Sequence, residues 1–184
     1  MTVLSVVQAV EAISEQRSDA SAVVTMSALP FWPLRRHDYR LVSLMGGAGS
    51  IGLGLAMGNP QRDVWIVDGD GSLLMQLGVI PAIAHAGVPN LTHILIVNGV
   101  YAVSGAQPTP SPADWERLFL AAGYVSAHTC TTPAEIVSAL ADSGVGPRAV
   151  VVKCSSERPS YPPDAFAIDA AAEAARVRAA YLKG

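Results

Sequence analysis

Short apolar runs rich in β-branched residues alternate along the chain with longer segments of helical spacing, and little low-complexity sequence separates them. Strands are predicted over SAVVT (21–25), RLVSL (40–44), DVWIVD (63–68), HILIVN (93–98), GYVSAHT (123–129) and RAVVVKC (148–154). Most of these runs are apolar throughout instead of alternating. Such strands are buried on both faces, which calls for helices above and below a mainly parallel sheet. Helices are predicted over 3–16, 48–57, 72–86, 113–121 and 133–142, with a last one in PDAFAIDAAAEAARVRAAYL (163–182). Thr131 or Thr132 with Glu135 marks a helix start, since a hydroxyl and a carboxylate there satisfy free backbone N–H groups. Gly78 and Pro81 should kink or shorten the 72–86 helix. The expected fold is α/β, a doubly wound, mainly parallel six-stranded sheet with helices on both faces, forming one domain over residues 1–184.

Composition changes this picture little. With 184 residues, 51% hydrophobic and 15% charged, the chain suits one compact domain with a large core. A formal charge of -3 argues against a nucleic-acid surface, and the one dense basic cluster, RRHDYR at Arg35 to Arg40, reads as a solvated turn. The first residues lack a basic leader and place Glu11 inside an apolar pattern, so neither a signal peptide nor a membrane span is expected and the location expected is cytoplasmic. Cys130 and Cys154 lie too far apart for a metal knuckle or redox dithiol and are expected to be buried, inert thiols. His85, His93 and His128 are expected to pack or face solvent, because none has metal-ligand spacing.

Candidate chemistry begins with MGGAGSIGLGLAMG, residues 45–58, in which Gly47, Gly49 and Gly52 spell G-x-G-x-x-G after an apolar run. That spacing is associated with dinucleotides, and the acidic pair Asp68 and Asp70 follows at a distance suited to a ribose. A nicotinamide-dependent dehydrogenase is therefore one reading. A second constellation competes with it. The third predicted strand ends in Gly69-Asp70-Gly71-Ser72 and the fourth in Asn98, 28 residues beyond Asp70, about one strand-helix-strand unit. Both side chains then emerge at one carboxyl edge, where doubly wound sheets place ligands. A carboxylate and an amide oxygen are hard donors suited to magnesium or calcium. Gly71 lets the main chain approach a phosphate, and Ser72 is expected to open a helix whose free N–H groups attract the same anion.

G-D-G-S with an Asn at this distance resembles the diphosphate-binding motif of thiamine diphosphate enzymes, in their decarboxylase branch. The resemblance runs from roughly Thr25 to Thr109, and GGAGSIGLGLAMGNPQRDVWIVDGDGSLLMQLG with VNGVYAVSGAQPT is most similar to sulfopyruvate and phosphonopyruvate decarboxylases. It implies thiamine diphosphate and Mg2+ as cofactors, with Asp70, Asn98 and the carbonyl of Val100 on the metal. Gly71, Ser72 and Tyr101 would lie along the diphosphate, joined by Ser27 after the first strand. Met45 would support the bent cofactor, and the Ser43 carbonyl would accept from its aminopyrimidine. Gly46, Gly47 and Gly49 would then serve close chain passage and helix packing.

The same resemblance implies what the chain lacks. The glutamate that activates the cofactor belongs to a pyrimidine-binding domain, expected here on a separate subunit in a hetero-oligomer with two or more copies of each chain. The expected function is the diphosphate-binding subunit of a 2-oxo acid decarboxylase, inactive alone, with a carboligase as the nearest alternative. Val97 stands beside Asn98 where the family has a second Asn, and Val103 stands where it has a Ser. After the first strand the chain reads MSALPFW where the sulfonate and phosphonate enzymes carry Ser-Arg-Glu, which leaves the substrate open. The loop from Val100 to Pro112 is expected to cover the cofactor.

Overall fold

The computed structural model describes residues 3–42, 44–110, 114–142 and 144–182. Six strands form one sheet: β1 (Ser21–Thr25), β2 (Tyr39–Leu41), β3 (Val64–Gly69), β4 (Leu91–Val97), β5 (Ser126–Cys130) and β6 (Arg148–Lys153). Their order is β2-β1-β3-β4-β6-β5, and every pairing is parallel. The α-helices are α1 (Val6–Glu15), α2 (Gly47–Gly58), α3 (Asp70–Leu73), α4 (Val79–Ala86), α5 (Trp115–Ala122), α6 (Pro133–Leu140) and α7 (Ala170–Leu182).

Successive side chains of a strand point to opposite faces, and here both sets are apolar. Trp65 and Val67 of β3, with Ile94 and Ile96 of β4, meet α1 and α6 through Ile13 and Ile136. Val64, Ile66 and Leu95 meet α2, α4 and α5 on the opposite face through Ala48, Ile80 and Phe119. This two-sided burial is why the strands read as unbroken apolar runs.

Caps fix where several helices begin. Ser5 with Gln8 and Thr132 with Glu135 form reciprocal capping boxes, and Asp114 accepts from the Arg117 amide. The helix expected over 72–86 is instead α3, a 3-10 turn over Leu74–Gln76, and α4. Pro81 falls in the first turn of α4, where a missing N–H leaves no hydrogen bond unmade, so it helps set the start of a new helix. The last helix begins at Ala170 and not earlier, because the Asp169 carboxylate accepts from the amides of Ala171 and Ala172. The strand predicted over 40–44 pairs only over Tyr39–Leu41.

Arg35 to Arg40 form a solvated turn only in part: Arg35 and Arg36 are exposed, but Asp38 and Arg40 turn inward. The Asp38 carboxylate, fully buried, accepts from the Arg17 guanidinium at 2.6 Å, the Ala22 amide, the Trp32 indole and the Arg35 amide. Arg40 donates through its amide and its guanidinium to the buried Glu173 of α7, which also accepts from Arg176 at 2.7 Å. Burial works against the Glu173 charge, but the hydrogen bonds from Arg176 and Arg40 outweigh it and push its pKa down to about 2. Through these bonds α7 lies along the edge strand β2 and occupies a sheet edge that would otherwise be open to pairing.

Candidate cofactor site

The connection from β1 leads to β2 on one side of the sheet's middle, while that from β3 leads to β4 on the other. Loops that diverge in this way leave a crevice at the carboxyl ends of β1 and β3, and such switch points are where doubly wound sheets hold ligands. Asp70 directly follows β3, and Asn98 directly follows β4. The register pairs Gly69 with Ile96, so the two side chains emerge nearly level on neighbouring strand tips, and both are buried.

Around them the chain folds tightly. Asp70 Oδ2 accepts from the Gly99 amide at 3.2 Å and the Thr109 hydroxyl at 2.8 Å. Asn98 Oδ1 accepts from the Val100 amide at 3.1 Å, and the Val100 carbonyl accepts from the Ala102 amide at 3.0 Å. Each of these carbonyl oxygens has a second lone pair for a cation. Residues 99–109 fold back as a narrow loop, with Tyr101 N donating to Gln107 O and Thr109 N to Gly99 O, both at 2.9 Å. The loop sets Tyr101 directly over Gly71, where a Cβ would stand 2.7 Å from the ring. Any larger residue at 71 would force the loop away.

Asp68 adds a second carboxylate at the same strand tip. It is fully buried; Oδ1 accepts from the Gly69 amide, and Oδ2 has no hydrogen-bond partner among the described residues. Burial pushes its pKa up to about 6, against the Ser72 and Gly69 hydrogen bonds, and the Asp70 charge adds to the rise. Burial and the Asp70 charge likewise push the Cys154 thiol up to about 12, although Cys154 is half-buried and not the fully buried thiol expected. Cys130 is buried as expected and pushed up to about 11, chiefly by burial. Buried, negative and lined with oxygen, the site suits a hard cation. Among the described residues no group of three or more His, Cys, Asp or Glu could hold a metal, so a cation here would rest on one carboxylate, an amide oxygen, main-chain oxygen and a ligand's phosphates.

The glycine stretch takes the packing role. Gly52 lies so close to β3 that a Cβ would stand 2.3 Å from Ile66, and one on Gly49 would stand 2.7 Å from Val79 of α4. Gly46 has φ +83° and passes against Met75 and Gln76, and its amide donates to Ser72 Oγ at 3.0 Å. The space beside these glycines is filled by protein, so the dinucleotide reading loses its basis. One expectation at Ser72 needs correction: the helix there is the four-residue α3, too short to add a substantial dipole.

Other expected residues are placed as follows. Met45 sits in the turn before Gly46, beside the Ser72 contact. Ser27 lies in a 3-10 turn, Met26–Phe31, after β1. Ser43 lies outside the described residues. Thr109 is the site's unforeseen member, joined to Asp70 only by the fold of the loop, which no residue spacing announces, whereas Asp68, expected to meet a ribose, stands at the tip of β3 instead.

Residues 21–154 match the family model described as thiamine pyrophosphate enzyme, C-terminal TPP binding domain. The chain belongs to this family. The match begins with β1 and ends just past β6, so it takes in the whole sheet and leaves out α1 and α7. Among curated relatives of this thiamine pyrophosphate domain, phosphonopyruvate decarboxylase of Streptomyces viridochromogenes is 37% identical over 70% of this chain and 34% of its own length. Sulfopyruvate decarboxylase subunit beta of Methanothermobacter thermautotrophicus is 49% identical over 40% of this chain and 39% of its own. The matches thus span little more than a third of either relative. The 4-hydroxybenzoylformate decarboxylase of Rhodococcus jostii, thiamine diphosphate-dependent, superposes with TM-score 0.69 at 17% identity over 86% of this chain and 34% of that one, a likeness of fold.

Proposed function

We propose that this chain is the diphosphate-binding subunit of a thiamine diphosphate- and Mg2+-dependent 2-oxo acid decarboxylase, completed by a separate pyrimidine-binding subunit. The carrying observation is the pair Asp70 and Asn98 on neighbouring strand tips, closed over by the 99–109 loop. Asp70, Asn98 and the Val100 carbonyl would hold Mg2+, while Gly71, Ser72, Tyr101 and Ser27 would line the diphosphate. When bound, thiamine diphosphate supplies a nucleophilic carbon and the electron sink for loss of carbon dioxide. This chain's contribution is to fix the diphosphate end, to bury it, and to balance its charge through the metal. Met45 and the Ser43 carbonyl would support the thiazolium and aminopyrimidine.

Surface chemistry supports a partner. Helix α2, GAGSIGLGLAMG, has no charged residue although it lies on the outside of the sheet, and a helix apolar all round is ordinarily covered. Leu44, which packs on Gly47, and Met75, which packs on Gly46, are each more than half exposed beside the site. An apolar rim at an incomplete site fits a second subunit that brings the activating glutamate. The relatives named phosphonopyruvate and sulfopyruvate decarboxylases favour a small 2-oxo acid as substrate.

The test is calorimetric titration of the chain with thiamine diphosphate, with and without Mg2+, followed by assay of the chain with whatever co-purifies against a panel of 2-oxo acids. Metal-dependent binding lost in Asp70→Ala and Asn98→Ala is expected, with turnover only in the two-chain complex. Undiminished binding in Asp70→Ala, or full turnover by the chain alone, would overturn the reading. Capture of a second carbonyl compound in place of simple decarboxylation would move it to a carboligase.

A further inference from the structure

Between β6 and α7 the chain runs as an irregular strap over residues 155–169, anchored where the Ser155 amide donates to the Leu4 carbonyl at 2.7 Å. Its centre is aromatic. Tyr161 packs on Phe166 with ring centroids 5.3 Å apart and on Phe31 at 6.1 Å, and Arg158 stands over the Tyr161 ring at 5.8 Å. Phe31 closes the 3-10 turn that begins at Met26. The strap therefore braces the segment that carries Ser27.

That segment is held under strain. Met26 has φ +51°, a left-handed value that a residue with a side chain adopts only where surrounding structure enforces it. The strain falls at the switch-point crevice. β1 and β3 are neighbouring parallel strands, so Ser27, two residues past the end of β1, and Asp70, directly after β3, belong to the same carboxyl edge of the sheet. On the strap side, the Tyr161 hydroxyl is buried and makes no hydrogen bond to any described residue. The ring contact with Phe31 brings Tyr161 onto the turn that carries Ser27; burial raises the phenol pKa, and the Ser27 hydroxyl and the Arg158 charge offset part of that rise. Two hydroxyls side by side, each with one proton to give, suit a single shared acceptor, and a phosphoryl oxygen has the lone pairs to accept from both. Arg158 adds positive potential from behind the ring.

We propose that Tyr161 is a cofactor-binding residue which, paired with Ser27, donates to an oxygen of the bound diphosphate. This rests on the function proposed above and extends the site beyond the family match, which ends at Cys154. The strap then has a purpose: it delivers one hydroxyl to the crevice and keeps the strained Ser27 turn in place to deliver the other.

The experiment is calorimetric titration of the full chain with inorganic pyrophosphate and Mg2+, for wild type, Asp70→Ala, Tyr161→Phe, Ser27→Ala and the last two combined. Tyr161→Phe keeps both ring contacts and removes only the hydroxyl. Asp70→Ala should abolish binding. Tyr161→Phe and Ser27→Ala should each weaken it about tenfold, the scale of one charge-assisted hydrogen bond, and the double variant should be little weaker than the worse single because the hydroxyls act as a pair. The thermal midpoint of Tyr161→Phe should stay at the wild-type value. If Asp70→Ala fails to bind while Tyr161→Phe binds like wild type, or the two hydroxyl variants add independently, the Tyr161 proposal falls and the cofactor reading stands. If wild type and Asp70→Ala behave alike, the cofactor reading falls and this proposal with it.

Discussion

The Gly46 amide donates to the Ser72 hydroxyl across 3.0 Å, joining the turn before α2 to the G-D-G-S segment at the tip of β3. Both residues are buried, so this bond positions two parts of the site against each other. Ser72→Ala leaves the Gly46 amide without an acceptor in a buried place, a loss of about 1–3 kcal/mol. Urea unfolding should show that loss, and thiamine diphosphate affinity should fall as well, since Met45 rides on the same turn. A variant as stable as wild type would mean the bond contributes nothing to the fold.

Gly52 separates the two readings of the glycine stretch. If its role is packing, Gly52→Ala drives a methyl group against Ile66 and lifts α2 from β3, an overpacking cost of about 1–3 kcal/mol. The gain in helix propensity, roughly 1 kcal/mol, returns part of it. The expected net effect is a lower urea midpoint, with no appearance or loss of nicotinamide binding. A dinucleotide site would instead show a binding defect with little change in stability.

The sheet was legible because each strand is covered on both faces and so declares itself as an unbroken apolar run. The pairing of Asp70 with Asn98 was legible for a related reason: two parallel strands joined by one crossover put their ends at one edge, and 28 residues is that crossover's length. Contacts made across long stretches of chain were not legible. Arg40 and Asp38 look like members of a charged, solvated turn until Glu173 arrives from α7 and Arg17 from the end of α1. Thr109 reaches Asp70 only because the 99–109 loop doubles back, and Tyr161 reaches the Ser27 turn only because the strap crosses from β6 toward β2. Local sequence carries the periodicity of an element and the chemistry at its tip. It does not carry the path of an irregular segment, which the packing of the finished sheet determines.

His93 gives the fold a dependence on pH that the cofactor site does not share. It lies in the middle of β4, fully buried, edge-on to Phe119 at 5.1 Å between ring centroids, with Nδ1 3.2 Å from the Tyr124 hydroxyl. Burial pushes its pKa down to about 3, from 6.5 in an open chain. Between those values the unfolded chain takes up a proton that the folded chain refuses. Stability from this group is therefore complete above pH 6.5 and declines as the pH falls toward 3, by at most about 1.4 kcal/mol per pH unit. Asp68 works in the opposite sense, since its raised pKa removes stability as the pH climbs from 3.8 toward 6, and Glu173 loses its contribution only below 4.5. These two groups are common to wild type and His93→Gln, so the difference between the two proteins isolates the histidine. Urea midpoints taken from pH 7.5 down to 4.5 should fall more steeply for wild type than for His93→Gln, with the profiles diverging below pH 6.5. Parallel profiles would show that the imidazole is protonated inside the fold as readily as outside it.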